Sequence, residues 1–165
     1  MRHIQSFAPI EDADAKILIL GSMPGEASLK AGQYYAHPQN LFWRIMGELL
    51  GIDPAAPYPQ RIEALKSGRI ALWDVLRSCR RKGSLDSSID NDSLVPNDFA
   101  AFFLHHPKIT RVFFNGTKAE ACYRKQVRPF IDIGHIEYQR LPSTSPANAS
   151  ISSERKLEAW RAITE

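Results

Sequence analysis

The chain has only two cysteines, Cys79 and Cys122, and they form no CxxC pair. Neither a zinc ribbon nor an iron–sulfur cluster can be built from them alone, and reduced thiols are the plain expectation. No apolar run approaches the roughly 18–20 residues that span a bilayer. Met1-Arg-His-Ile-Gln-Ser-Phe7 has no apolar export core, so a cytoplasmic protein is expected. GxGxxG and Walker patterns are missing, as are repeats and low-complexity tracts, which speaks against a nucleotide-cofactor enzyme. No cofactor and no metal are expected. A strong excess of one charge is lacking too: 21 Lys and Arg face 18 Asp and Glu, a net +3 that permits nucleic-acid binding without demanding it. The basic residues cluster at Arg77-Ser-Cys-Arg-Arg-Lys82 and at Arg124, Lys125 and Arg128, the latter three expected on one helix. Solvated surface is an equally good reading of either cluster.

What is present is a core. At 165 residues and 44 % hydrophobic content the chain suffices for one domain. Four apolar runs rich in branched and aromatic residues read as strands: Ile17–Leu20, Ile70–Leu76, Arg111–Phe114 and Ile136–Leu141. Helical patterns fall between and after them: Leu41–Leu50 with a Leu41, Ile45, Leu49 stripe, Pro59–Lys66, Asn97–His106 with Asn97 as N-cap, Thr117–Val127 and Ser153–Ile163. Alternation at this spacing predicts a three-layer α/β/α fold around a central four-stranded parallel sheet. Lys82–Val95, rich in Ser and Asp, reads as a surface loop.

In a parallel sheet the strand tips share one edge, where open α/β sheets bind ligands. Three tips carry polar or turn-forming residues here: Gly21-Ser-Met-Pro-Gly25, Asn115-Gly116 and Leu141-Pro-Ser-Thr-Ser-Pro-Ala-Asn148. Tyr35-Ala-His-Pro-Gln-Asn-Leu-Phe-Trp43 follows the first, just before an apolar helix.

Gly21–Gly25 resembles the first motif of the uracil-DNA glycosylase superfamily, and Tyr35–Trp43 is similar to the segment that follows it in the mismatch-specific glycosylases. Val112-Phe-Phe-Asn-Gly116 resembles the superfamily's asparagine-ended third strand, and Leu141–Pro146 its last motif. The order of motifs is preserved over residues 15–150. Met23 stands where most branches carry an Asp or Asn that handles the attacking water, which a thioether cannot do. Together with Asn40, this resembles the hypoxanthine-DNA glycosylase branch, in which an asparagine at that site is implicated in catalysis.

The resemblance implies an enzyme that extrudes a deaminated base from DNA and hydrolyses its glycosidic bond, with damaged DNA as partner and the monomer as working unit. Tyr35 is expected to stack on the base, ahead of Tyr34 and Phe42. Asn115 is expected to read the base edge, with helix capping as its competing role. Backbone N–H groups of Ser22, Met23 and Gly25 could donate to the base or a flanking phosphate, and Asn40 could hold the water by its side-chain oxygen. An amide does not titrate, so a rate nearly independent of pH near neutrality is expected, His37 being the one alternative. Ser143, Thr144, Ser145, Pro146 and Ala147 are expected at the DNA, through hydroxyls on phosphates and a small wedge drawn from Ser145, Pro146 and Ala147. Leu141 occupies the place of a histidine in uracil-specific enzymes, which disfavours strong uracil cleavage. No lysine of these motifs suits a Schiff base, so base removal without nicking is expected. The alternatives are a mismatch-type uracil enzyme, a non-catalytic lesion-binding module motivated by Met23, and a hydrolase of free nucleosides.

Overall fold

A computed structural model describes all 165 residues, Met1–Glu165. Its central sheet has four parallel strands: β2 (Ile17–Gly21), β3 (Ile70–Asp74), β6 (Arg111–Asn115) and β7 (Glu137–Leu141), in the order β3-β2-β6-β7. The central strand β2 is an unbroken apolar run because both of its faces are covered. Its side chains alternate: Leu18 and Leu20 join one apolar cluster, Ile19 the other.

The first cluster packs under α4 (Phe99–His105) and α5 (Thr117–Gln126), through Phe99, Phe102, Phe103, Cys122 and Tyr123. The second packs under α2 (Phe42–Leu50), α3 (Tyr58–Ser67) and α6 (Ser153–Trp160), through Phe42, Trp43, Met46, Leu65 and Trp160. The three expected layers are present. No helix is long and apolar enough to cross a membrane.

Several boundaries differ from the sequence expectation. The strand expected to run to Leu76 stops at Asp74. There Val75 and Leu76 donate their N–H groups to the carbonyls of Gly21 and Ser22, and the chain turns away as β4 (Leu76–Arg81). That strand belongs to a second, antiparallel sheet, β1-β4-β5, with β1 (Arg2–Gln5) and β5 (Val95–Pro96), which sequence reading missed. β1 and β4 are rich in polar residues and β5 is only two residues long, so they carry little apolar signal. The short helix α1 (Glu26–Ala31) was missed for the same reason.

Asn97 is not the N-cap of α4. Asp98 caps it by accepting from Ala101 N–H at 3.1 Å, while Asn97 Nδ2 donates to the Asp74 carbonyl at 2.8 Å and holds the β3–β4 turn. The buried stripe of α2 is Phe42, Trp43, Ile45 and Met46, with Leu41 and Leu49 only partly covered. Arg128 lies beyond the end of α5, in the following 3-10 turn. The last helix ends at Trp160 and continues as a 3-10 turn through Arg161–Thr164, with Ser152 capping its start.

Candidate active site

The carboxyl ends of β2, β3, β6 and β7 open into one cleft of about 1710 Å³. It gathers Gly21–Gly25, Tyr35, His37, Asn40, Asn115 and Pro142–Asn148, segments up to 127 positions apart in sequence. The convergence expected of a parallel sheet is therefore observed.

The N–H groups of Ser22, Met23 and Gly25 donate to nothing else in the protein. The Met23 thioether is buried in the first apolar cluster, so this residue offers the cleft its backbone. The Ser22 hydroxyl is tied to Asp86 Oδ1 at 2.6 Å. Gly21 is required by close approach: a Cβ there would lie 2.6 Å from Asp74 Oδ1 and 2.9 Å from Tyr35 Oη. Gly25 has no such demand, since its Cβ would meet Ser84 at an ordinary 3.5 Å.

Tyr35 adopts a left-handed backbone (φ 55°), unusual for a bulky residue, and stacks its ring on Phe42 at 4.3 Å. Its hydroxyl is buried without a hydrogen-bond partner, and burial with the nearby Asp74 carboxyl pushes the phenol pKa well above its usual range. Tyr34 is core, donating to the Ala8 carbonyl, and Phe42 is fully buried, which removes both as base-stacking candidates.

Asn115 does not cap the following helix, the competing role expected for it. Its Nδ2 donates to Thr144 Oγ1 and its Oδ1 accepts from Thr144 N–H, both at 3.0 Å, while α5 starts at Gly116 with no side-chain cap. Thr144 is correspondingly buried, and its carbonyl accepts from Leu41 N–H at 3.0 Å. Thr144 is the pin joining β6, the last motif and the start of α2. Gly116, at φ 96°, lets the loop approach so closely that a Cβ would sit 3.0 Å from Ser143 Cβ. Two bonds from α6 complete the clamp, Trp160 Nε1 to the Pro142 carbonyl at 2.9 Å and Lys156 Nζ to the Asn148 carbonyl at 2.7 Å.

In the same loop the hydroxyl oxygens of Ser143 and Ser145 accept from the N–H groups of Ser145 and Ala147, which leaves each O–H free to donate outward. Pro146 and Ala147 are exposed, and Leu141 is buried in the second apolar cluster. Asn40 Oδ1 accepts from Phe42 N–H at 3.0 Å, a turn bond two residues on that leads into α2 and orients the amide. The second Oδ1 lone pair and both Nδ2 protons make no other bond to protein. His37 is exposed, and its Nδ1 accepts from Gln39 N–H at 3.1 Å, the arrangement of a loop histidine bonded to backbone.

The basic clusters seen in the sequence are largely occupied elsewhere. Arg81 is buried and binds the carbonyls of Pro24 and Gly83, bracing the first motif from the second sheet. Arg80 pairs with Asp90 at 2.6 Å, Arg124 with Glu120 at 3.7 Å, and Arg128 lies over the Tyr138 ring. The cations that line the cleft are Lys118, Arg140 and Arg155. They were missed because they are scattered over α5, β7 and α6 and form no run.

Two acidic residues were missed as well. Asp86, on the loop expected to be mere surface, reaches Ser22. Asp74 ends β3 inside the cleft, 3 % exposed, with Oδ2 lacking any partner. Burial, reinforced by Asp86 and offset by Arg81, pushes its carboxyl up to about 7. The strand was expected to run on to Leu76, which placed Asp74 inside it and away from the strand tips, so it drew no attention. Leu85, beside Asp86, is a large apolar side chain exposed at the cleft rim.

Comparison with known proteins agrees with this geometry. The pattern of the uracil DNA glycosylase superfamily matches residues 8–164. Two relatives are each described as a hypoxanthine DNA glycosylase. One, from Methanosarcina barkeri, is 37 % identical over 153 residues, covering 92 % of either chain. The other, from Methanosarcina acetivorans, is 36 % identical over 160 residues, covering 96 % of either chain. A solution NMR structure of a protein from Methanosarcina acetivorans, assigned as a uracil DNA glycosylase, superposes with a TM-score of 0.80 at 34 % identity, over 99 % of this chain and 100 % of that one. With the strand order, the cleft and the sequence match in agreement, the chain belongs to the uracil DNA glycosylase superfamily.

Proposed function

We propose that the protein is a monofunctional DNA glycosylase that removes hypoxanthine from deoxyinosine sites, working as a monomer in the cytoplasm on damaged DNA. The observation that carries the reading is the meeting of free backbone N–H groups, Asn40 and the clamped last motif in one cleft, on a chain whose relatives are hypoxanthine enzymes. The flipped base enters over Tyr35, with the backbone donors of Ser22, Met23 and Gly25 facing it. Asn40 holds a water against C1′ of the sugar. As the bond to N9 breaks, the electron pair leaves with the purine, the water oxygen bonds C1′, and its proton passes to solvent. The Ser143 and Ser145 hydroxyls donate to the flanking phosphates.

Three observations favour this reading over its alternatives. The cleft exceeds the roughly 300–1,000 Å³ of small-molecule pockets, as a polymer substrate requires and a free nucleoside does not. Leu141 gives the cleft no imidazole for a departing uracil. Lys118, the lysine that lines the cleft, is bonded to Asn91 Oδ1 at 2.7 Å, so no free amine waits to form a Schiff base and nick the strand.

The test is an end-labelled duplex carrying one deoxyinosine or one deoxyuridine, developed with and without alkali. Alkali-dependent cleavage chiefly at deoxyinosine is expected. Preference for deoxyuridine would move the protein to the uracil-specific reading, and cleavage without alkali would refute the monofunctional assignment.

Arg155 lines the cleft and has no ion-pair partner, so it is the cation best placed for a phosphate. Arg155→Ala is expected to weaken duplex binding equally on all sequences and to reduce the slope of log K against log salt by about 1. An unchanged salt slope, measured by fluorescence anisotropy, would place Arg155 off the DNA path.

A further inference from the structure

The least satisfied part of the cleft is its floor. Asp74 Oδ2 and Tyr35 Oη are both buried without partners, and both side chains crowd the space a Gly21 Cβ would fill. Buried polar atoms are nearly always hydrogen-bonded, and each one left unsatisfied is costly. Two side chains with unpartnered polar atoms, both packed against Gly21 at the base of the cleft, are groups that the polar atoms of a ligand would satisfy. Asn115 holds Thr144 with one Nδ2 proton and one Oδ1 lone pair and keeps the other of each, close to the Tyr35 hydroxyl.

We propose that Asp74, in its protonated form, donates a hydrogen bond to the departing base, with the Tyr35 hydroxyl beside it. The proposal rests on the glycosylase reading above and adds a residue to it. The six-membered ring of hypoxanthine presents an N–H beside a carbonyl oxygen. A neutral carboxyl matches that edge, its O–H donating to the carbonyl and its other oxygen accepting from the N–H. Negative charge grows on the base as the glycosidic bond breaks, so a donor aimed at it binds the transition state more tightly than the ground state. An ionised Asp74 would do the reverse, repelling the base carbonyl and the developing anion.

The surroundings raise the pH at which the proton is lost to about 7. Burial acts first, and the Asp86 carboxyl from the loop after β4 adds to it, against Arg81 from β4. From the loop before α2, the phenols of Tyr34 and Tyr35 face the same carboxyl, and Asn97 holds its backbone carbonyl. The pH-independent rate expected from Asn40 alone is therefore replaced by one that depends on Asp74.

The experiment is single-turnover excision from a deoxyinosine duplex between pH 5.5 and 9, for wild type, Asp74→Asn and Asp74→Ala. Wild type is expected to hold a plateau at low pH and to fall about tenfold per pH unit once Asp74 ionises. Asp74→Asn keeps an N–H donor but cannot ionise, so its profile is expected to be flat and to cross above wild type at pH 9. Asp74→Ala is expected to be flat as well, about 10²-fold below the wild-type plateau. A flat wild-type profile overturns the proposal, as does a descending limb that persists in Asp74→Asn. Carbon-13 titration of the Asp74 carboxyl in the wild-type protein supplies a measurement independent of any variant: a midpoint near 7 is expected, and one below about pH 5 overturns the proposal. Failure of the glycosylase reading looks different, since wild type would then release no hypoxanthine at any pH.

Discussion

Asn40→Ala is expected to slow single-turnover excision by about 10²-fold or more while leaving the protein folded. The two effects separate because the water-holding role we propose for Asn40 and its structural bond use different parts of the amide. Its Oδ1 bonds Phe42 N–H at the entry to α2, and losing such a bond costs about 1 kcal/mol, roughly 2–4 °C in melting temperature for a chain of this size. The rest of the amide faces the cleft, and its removal frees the attacking water. Asn40→Asp discriminates further. A carboxylate oxygen keeps the bond to Phe42 N–H and retains an acceptor for water, so most of the rate should survive. If Asn40→Asp is folded yet as slow as Asn40→Ala, the Nδ2 protons carry the function and not the oxygen.

The second large effect is on stability. With its carboxyl pushed up to about 7 from an ordinary value of 3.8, Asp74 holds a proton in the folded state that the unfolded chain releases. The associated stability is fully present below pH 3.8 and is lost as pH climbs to about 7, after which a constant penalty remains. Each pH unit between those two values adds about 1.4 kcal/mol, so the penalty reaches roughly 4 kcal/mol. Asp74→Asn removes the charge but leaves amide protons to satisfy, so a net gain of about 2–3 kcal/mol is expected at about pH 8, with little gain at about pH 4. Thermal melts of both proteins across that range check it. Equal pH dependence in wild type and variant would mean that Asp74 is ionised at neutral pH in the native state. An active-site group that destabilises its own fold is the usual trade of stability for activity.

The sequence disclosed the frame of this molecule better than its details, for identifiable reasons. Strands such as Ile17–Gly21 are apolar on both faces and announce themselves, and parallel topology then brings their tips together. The second sheet stayed hidden because β1 and β4 alternate or mix polar residues, as in Arg77-Ser-Cys-Arg80. Residue types at the tips were legible, but their partners were not. Nothing local in Val112–Gly116 foretells that Asn115 will close on Thr144, twenty-nine positions away. Arg81 reads along the chain as part of a surface patch, although it is the buried brace of the first motif. Asp74 and Asp86 were invisible for the same reason: their significance lies in what surrounds them, and composition along the chain does not report it.

The glycosylase assignment is tested most directly by incubating the protein with duplex carrying a single deoxyinosine and quantifying free base by mass spectrometry. Free hypoxanthine in amounts equal to the alkali-labile sites formed, with the sugar–phosphate backbone intact before alkali, is the predicted result. Tight binding of the lesion with no free base would contradict it and make the protein a reader of deaminated DNA that cuts nothing.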